Sequence, residues 1–311
     1  MDKIKIVTVV GPTASGKTSL AVKLARKFNG EVISADSMQV YKGMDIATAK
    51  PDENEMCGIK HHLISIISPD EEFSVSLFKD MAEKAIKDIH SREKLPIIAG
   101  GTGLYVDCLI NNTTFLDNTK NEEIRALLQS RLEKEGSESL YNELLEKDPE
   151  AAEKIHPNNS LKIIRALEIF YSSGSTLTEQ NLQSHEKESD FESIIVGLNA
   201  NDRNVLYDRI NMRVDLMVEN GLVEETKKFF ELETASTACQ AIGYKELKPY
   251  LDGVLSLEEA KENLKQATRR YAKRQLTWFR RNKNINWLNI DEGTNEDLVT
   301  KAEQLIKDFL K

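Results

Sequence analysis

The stretch Gly11-Pro12-Thr13-Ala14-Ser15-Gly16-Lys17-Thr18 follows directly on the apolar run Ile4–Val10 and opens a helical pattern, Thr18 to Phe28. No other feature restricts the fold as strongly. A G-x4-G-K-[ST] pattern between a strand and a helix is a phosphate-binding loop. Gly11 and Gly16 let backbone N–H groups curl around anionic oxygens with no Cβ in the way. The helix that follows turns its positive end to the same oxygens. Lys17 adds a point charge, and the Thr18 hydroxyl is a ligand for Mg²⁺. The eight residues Gly11 to Thr18 are therefore candidate diphosphate contacts, Thr18 is the candidate metal ligand, and Mg²⁺ is the expected cofactor.

Three more short runs rich in branched residues read as buried parallel strands: Val32–Ser34, Pro96–Ala99 and Ile194–Leu198. A helix is predicted over Val75 to His90, with Leu77, Met81, Ala85 and Ile89 on one stripe. Strands alternating with helices give a doubly wound α/β core. From about Asp117 the texture changes. Ile124, Leu127, Leu128 and Leu132 recur at helical spacing, as do Leu140 and Leu144, then Ile163, Leu167 and Phe170. This predicts an all-helical insertion over 117–196 between core segments 1–116 and 197–311. Ser256 and Glu259 form a capping box heading a long helix to about Arg281, and Ile285–Ile290 adds a last strand.

Composition excludes several classes. No apolar run approaches the roughly 20 residues that span a bilayer, and the strand-like segment starting just after Met1-Asp2-Lys3 leaves no room for a signal peptide. Cys57, Cys108 and Cys239 are isolated, so neither a zinc ribbon nor a disulfide framework is expected. A reduced cytoplasm is the simplest setting, with no membrane partner. Nothing demands a second subunit, so a monomer is expected. The net charge of −9 is unevenly spread. Residues 117–195 hold 17 acidic and 9 basic side chains, whereas 256–283 hold 3 and 9. A basic face on an acidic protein can dock a polyanion, and a solvated basic helix is the competing reading.

The usual ligand of such a loop is ATP, but the remainder of an ATPase is missing. A P-loop NTPase normally holds Mg²⁺ with an acid at the end of a second apolar strand. Here Pro96–Ala99 runs into Gly100-Gly101-Thr102-Gly103, and Ile194–Leu198 runs into Asn199. Ile285–Asp291 ends in an acid but lies at the far end of the chain. The acid that does sit at a strand end is Asp36, in VISADSMQVYKGMDIATAKP.

Together GPTASGKTSLA, ISADSMQVYKGMDIATAKP, HHLI, GGTGLY, IRALEI, QAIGYKEL and YAKRQLTWFRR resemble the bacterial tRNA dimethylallyltransferases, the adenosine-37 isopentenyltransferases, in that family's order from Gly11 to Arg281. The resemblance implies a P-loop kinase-like core with a helical insertion. It implies transfer of a dimethylallyl group from dimethylallyl diphosphate to N6 of an adenine beside the tRNA anticodon. An exocyclic adenine amine is a poor nucleophile, and a carboxylate that takes its proton makes the attack feasible. Asp36 fits that role; a helix N-cap or a pure Mg²⁺ ligand are its alternatives. The resemblance adds Thr13 near the reacting centre and Arg213 on the diphosphate, with Arg209 as the near alternative.

For the RNA, a modified base must leave its stack and be held by edge contacts and stacking. Asp36, Ser37, Met38 and Gln39 are candidates, and the resemblance adds Thr102 and Arg125. Where the family reads Asp-Pro-x-Arg-x-x-Arg, this chain has Asn159-Ser160-Leu161-Lys162-Ile163-Ile164-Arg165. Leu161 to Arg165 are thus candidate contacts to the anticodon stem-loop, with Lys162 keeping the charge of an arginine but not its bidentate geometry. In the last long helix Ala260, Leu264, Ala267, Tyr271 and Trp278 are expected in the core, and Arg269, Arg270, Lys273, Arg274, Arg280 and Arg281 on phosphates. His61 and His62 are expected to pack or bond within a loop, not to bind metal. The family's eukaryotic members carry a C-terminal zinc finger that this sequence lacks, which aligns it with the bacterial form. Competing readings are an adenylate isopentenyltransferase, a small-molecule kinase and a non-enzymatic RNA-binding protein.

Overall fold

β1 (Ile4–Val10) is the spine of a six-stranded parallel sheet in a computed structural model that describes residues 3–113, 121–183, 188–232 and 237–311. The chain continues through α1 (Lys17–Lys27), β2 (Gly30–Ser34), α2 (Glu53–Met56), β3 (His61–His62), α3 (Val75–Ser91), β4 (Leu95–Gly100) and α4 (Gly103–Ile110). Five helices follow: α5 (Glu122–Glu135), α6 (Ser137–Lys147), α7 (Pro149–Lys154), α8 (Ser160–Ser173) and α9 (Leu177–Gln183). The sheet resumes with β5 (Phe191–Asn199), then α10 (Arg203–Glu219), α11 (Leu222–Phe230), a 3₁₀ turn at Ala238–Gln240, α12 (Tyr244–Leu251), α13 (Leu257–Phe279), β6 (Ile285–Asn289) and α14 (Asn295–Leu310). Contacts divide the chain into Met1–Ile110 with Ser189–Lys311 as one unit and Asn111–Glu188 as the other.

The strand order β3-β2-β4-β1-β5-β6, with every pairing parallel, is that of a doubly wound sheet. Both faces are covered, so β1 reads as a largely apolar run, and Ile6, Val7, Val9 and Val10 are fully buried. Each such side chain contributes about 1.5–3 kcal/mol of transfer free energy. Val7, Val9, Val32 and Ile97 share a core with Leu20, Leu24 and Ala25 of α1 and Val299, Ala302 and Ile306 of α14. α3 and α4, joined by the stacked rings of Phe78 and Tyr105 at 4.2 Å, pack on β2, β4 and β5.

The five main strands fall where the sequence puts them: β1 with the bounds expected, the other four with one to three residues added or trimmed at an end. The stripe expected on α3 is corrected. Phe78, Ala82, Ile86 and Ile89 are buried, and Leu77 is exposed. The reason is the helical period: twelve residues turn a position about 120° away from its start, whereas eleven bring it back within about 20°. Leu77 is twelve residues from Ile89 and Phe78 is eleven. The two-residue strand β3 carries no apolar run and was not expected. Of the two insertion boundaries, 116/117 lies outside the described residues. The other, 196/197, falls inside β5, whose first residue, Phe191, already pairs with Ile4.

The helical unit has its own core, in which Leu128, Leu140, Leu144, Ala152, Ile163 and Leu167 are sealed from solvent. Three of its helices start on side-chain caps: Asn121 for α5, Asp148 for α7 with Pro149 as the first helical residue, and Asn159 for α8. Leu127, expected on the inner stripe, is exposed.

Candidate active site

The phosphate loop turns at the carboxyl end of β1. Gly11 has φ 148°, and a Cβ there would lie 2.6 Å from the Leu198 carbonyl oxygen of β5, so only glycine fits. Gly16 (φ 90°) forms the N-cap of α1 without any side-chain cap bond, which leaves the first N–H groups of the helix for a ligand. The Ser15 hydroxyl is buried without a partner among the described residues. Lys17 Nζ donates to the Pro12 carbonyl at 2.7 Å. Burial, and then repulsion from Arg213, pull the Lys17 ammonium down to about 7, while Asp36 pushes it back up.

Asp36 follows β2, two residues past Ser34. The registers Ser34↔Ala99 and Val9↔Ala99 set it level with Gly11, two strand spacings (about 9.5 Å) away across β4. Its Oδ1 accepts the N–H groups of Met38 (2.9 Å) and Gln39 (3.4 Å), capping a turn where the alternative weighed from sequence was the N-cap of a helix. Its Oδ2 has no partner among the described residues. Thr102, past the end of β4, accepts the Ser37 N–H on its hydroxyl at 3.0 Å.

Between these groups lies a cavity of about 410 Å³. Thr13, Lys17, Thr18, Asp36 and Arg213 face it from one side, with Ser37, Met38 and Gln39 beside them. Ile210, Val214, Met217, Leu222 and Leu264 make an apolar wall. Arg213 reaches Thr13 Oγ1 and the Ala49 carbonyl, both at 3.4 Å, and burial lowers its pKa. Arg209 lines only the neighbouring hollow of about 680 Å³. Of the two arginines, Arg213 is the one at the cavity.

Leu264, Thr268, Tyr271 and Gln275 of α13 line the cavity, a place the sequence reading gave to none of them. Tyr271, expected in the core, lines the cavity, and burial and the charge of Asp36 push its hydroxyl above its ordinary value. Gln275, 5 % exposed, accepts the Thr13 N–H at 2.8 Å and donates to the Gly101 carbonyl at 3.0 Å. It ties the phosphate loop to the turn after β4. A Cβ on Gly101 would come 2.1 Å from Gln275 Nε2. The available signal was a polar residue eleven positions after Leu264, on the buried stripe with Ala272 and Phe279.

The other predicted RNA contacts divide. In the helical unit, Arg125 and Arg165 both bond Oε2 of the buried Glu168, at 2.8 and 3.0 Å. Leu161 and Lys162 are exposed at the start of α8. Ile163 and Ile164 are 0 % and 6 % exposed in the unit's core, so any contact they make to RNA is through the backbone and not through their side chains. They are the fourth and fifth residues of an amphipathic helix, where the chain turns its apolar face inward. On α13, Arg270, Lys273 and Arg274 are exposed without ion pairs among the described residues, as is Arg280 just beyond. Arg269 bonds Asn211 and Glu262 instead, and Arg281 lies 3.9 Å over the Trp278 ring. His61 bonds the Ile59 carbonyl and His62 bonds Glu31. Among the described residues no cluster of three or more His, Cys, Asp or Glu could hold a metal, and no helix is long and apolar enough to cross a membrane.

Comparison with known proteins agrees with this geometry. A family model described as IPP transferase matches residues 39–282. The chain is 50 % identical over 303 residues to a protein named tRNA dimethylallyltransferase from Acetivibrio thermocellus, covering 95 % of each. It is 45 % identical over 300 residues to one of the same name from Bacillus subtilis, covering 96 % of this chain and 95 % of the relative. Among solved structures, the full-length tRNA isopentenylpyrophosphate transferase of Bacillus halodurans superposes with TM-score 0.74 at 46 % identity, covering 98 % of this chain and 96 % of that one. A eukaryotic dimethylallyltransferase acting on tRNA superposes with TM-score 0.83 at 32 % identity, over 99 % of this chain and 79 % of that one.

Proposed function

The chain belongs to the IPP transferase family, with dimethylallyl transfer to tRNA as its activity, and from that premise we propose how its cavity carries out the reaction. The donor is dimethylallyl diphosphate and the acceptor is N6 of adenosine 37, beside the anticodon. The diphosphate lies on the loop N–H groups and the N-terminus of α1, against Lys17 and Arg213, which stabilise the charge that grows as the allylic C–O bond breaks. The five-carbon tail lies on the apolar wall. Asp36 accepts the N6 proton as the C–N bond forms, and diphosphate leaves with the bonding pair of the broken C–O bond.

Divalent metal fits this donor set. The Thr18 hydroxyl at the cavity would hold Mg²⁺, a hard cation that takes oxygen ligands and keeps several waters. Such an ion supplies further neutralisation of the leaving diphosphate. For the RNA, Arg125 and Arg165 present two guanidinium groups, and the exposed arginines of α13 supply phosphate contacts. The cavity is complete within one chain, which supports action as a monomer; tRNA and a prenyl diphosphate together point to the cytoplasm.

The observation that carries this reading is an apolar lining that shares a P-loop cavity with a carboxylate. A prenyl donor requires such a surface beside its diphosphate. The test is incubation with unmodified tRNA, Mg²⁺ and either labelled dimethylallyl diphosphate or γ-labelled ATP. Label passing from the prenyl donor to the RNA is the expected result; γ-phosphate transfer alone would sink the reading.

A further inference from the structure

Ala47, Thr48 and Ala49 line the cavity, and the turn that carries them is held by a carboxylate from outside the cavity. Glu225, in the first turn of α11, accepts three successive backbone N–H groups: Asp45 and Ile46 on Oε2 at 2.9 and 2.7 Å, and Ala47 on Oε1 at 2.9 Å. Three consecutive N–H groups converging on one anion form a nest, and here the anion is part of the protein. Tyr244 completes it by donating its hydroxyl to Oε1 at 3.0 Å, its ring stacked on Phe229 at 4.0 Å.

What this anchored segment presents is a pair of carbonyls. Ala49 sits at φ 48°, a conformation alanine adopts only when its surroundings impose it. Its carbonyl accepts Arg213 Nη2 at 3.4 Å and Gln39 Nε2 at 3.3 Å, and the Thr48 carbonyl shares the Gln39 amide at 3.3 Å. One turn of backbone thus aims a donor-side arginine and an acceptor-side glutamine into one cavity. The turn is closed by Ala49 N–H to Ile46 O and Lys50 N–H to Asp45 O, both 2.9 Å, and these join the part held by Glu225 to the part that holds Arg213.

We propose that Glu225 is a positioning residue for prenyl transfer: through the 45–49 turn it fixes the direction of Arg213 toward the donor diphosphate. The inference rests on the proposed reading of the cavity. It makes an isosteric change informative. In Glu225→Gln one oxygen becomes an NH₂, and whichever way the amide faces, that NH₂ points at two donors. The nest must open, and Ala49 loses its imposed conformation.

The test compares wild type and Glu225→Gln by calorimetry with inorganic diphosphate and Mg²⁺, by steady-state kinetics, and by tRNA binding without donor. Misaiming a single charged contact should raise both the diphosphate Kd and the KM for dimethylallyl diphosphate about tenfold. The tRNA Kd should stay within about twofold, because RNA affinity comes mainly from phosphate contacts elsewhere. A merely structural Glu225 would lower the melting temperature and leave the folded enzyme's diphosphate Kd and KM at wild-type values; that result overturns the proposal. Should the glutamine variant fail to fold, Glu225→Asp keeps the charge but falls one methylene short of the turn, and the same rise in KM is expected. Failure of the wild type to bind diphosphate at all would defeat the cavity reading, and this inference with it.

Discussion

Lys17 gives the cavity a pH dependence that can be worked out in advance. Burial and the neighbouring Arg213 bring its ammonium from 10.5 to about 7 when no anion is present. A diphosphate beside it favours the charged form, so binding the anion also binds a proton wherever free Lys17 is neutral. Below pH 7 the charge is already in place and affinity is at its plateau. Above pH 7 each molecule must first take up a proton, and affinity falls. With a pKa of about 7, Lys17 is about three-quarters protonated at pH 6.5 and about 3 % protonated at pH 8.5, which weakens diphosphate binding about 25-fold. The ligand titrates too, so the control is Lys17→Met, in which only the ligand's own protons remain. Calorimetry at fixed free Mg²⁺, in buffers of different ionisation enthalpy, reads both Kd and proton uptake. The expected result is a ratio of variant to wild-type Kd that is largest at pH 6.5 and shrinks by about 25-fold at pH 8.5. A ratio that stays flat over this range would refute the reasoning and mean that Lys17 is charged throughout. Folding carries the opposite sign. The folded-state pKa lies below the unfolded value, so the unfolded chain binds more protons between about pH 7 and 10.5, and the Lys17 contribution to stability rises with pH across that window.

Asp36→Asn should lower the single-turnover rate of prenyl transfer by 10²-fold or more while tRNA Kd stays near wild type; an equal loss of binding and rate would make Asp36 a recognition residue. Arg213→Gln should raise the KM for dimethylallyl diphosphate by roughly tenfold or more, and Arg209→Gln should not; steady-state kinetics of the pair decides which arginine meets the diphosphate. Gly101→Ala drives a methyl into Gln275, freeing the Thr13 N–H, and should lower both the melting temperature and the affinity for diphosphate. Glu31, buried in β2, is held far below the usual carboxylate range, first by Arg92 and then by Lys94 and His62. Its contribution to stability is present above the unfolded-state value of about 4.5 and is lost as pH falls below it, and Glu31→Gln should lower the urea midpoint at pH 7 by removing the buried anion that the half-exposed Arg92 and Lys94 share.

The sheet was legible because burial on both faces writes a strand into sequence as a largely apolar run, and Ile4–Val10 is such a run. β3 was not, because two polar histidines that pair with Val32 and Ile33 carry no apolar run to mark a strand. The α3 stripe went wrong by one residue for a purely geometric reason, since stepping by four accumulates an error that stepping by eleven does not.

The chemistry was legible to the extent that it is local. The phosphate loop is contiguous, and Asp36 announces itself as the acid at a strand end. What the sequence could not supply is the distance between them, which depends on β4 being inserted between β1 and β2 although it comes after both. The apolar wall is harder still. Ile210 and Val214 of α10, Leu222 of α11 and Leu264 of α13 each carry the ordinary pattern of an amphipathic helix, and nothing local distinguishes a face that packs from one that borders a cavity. Only the assembled unit shows that these faces stop short of one another beside a phosphate loop. That gap separates a loop that holds phosphate as a leaving group from one that holds it as a fuel, because a prenyl tail needs apolar surface within a bond or two of its diphosphate and a nucleotide does not.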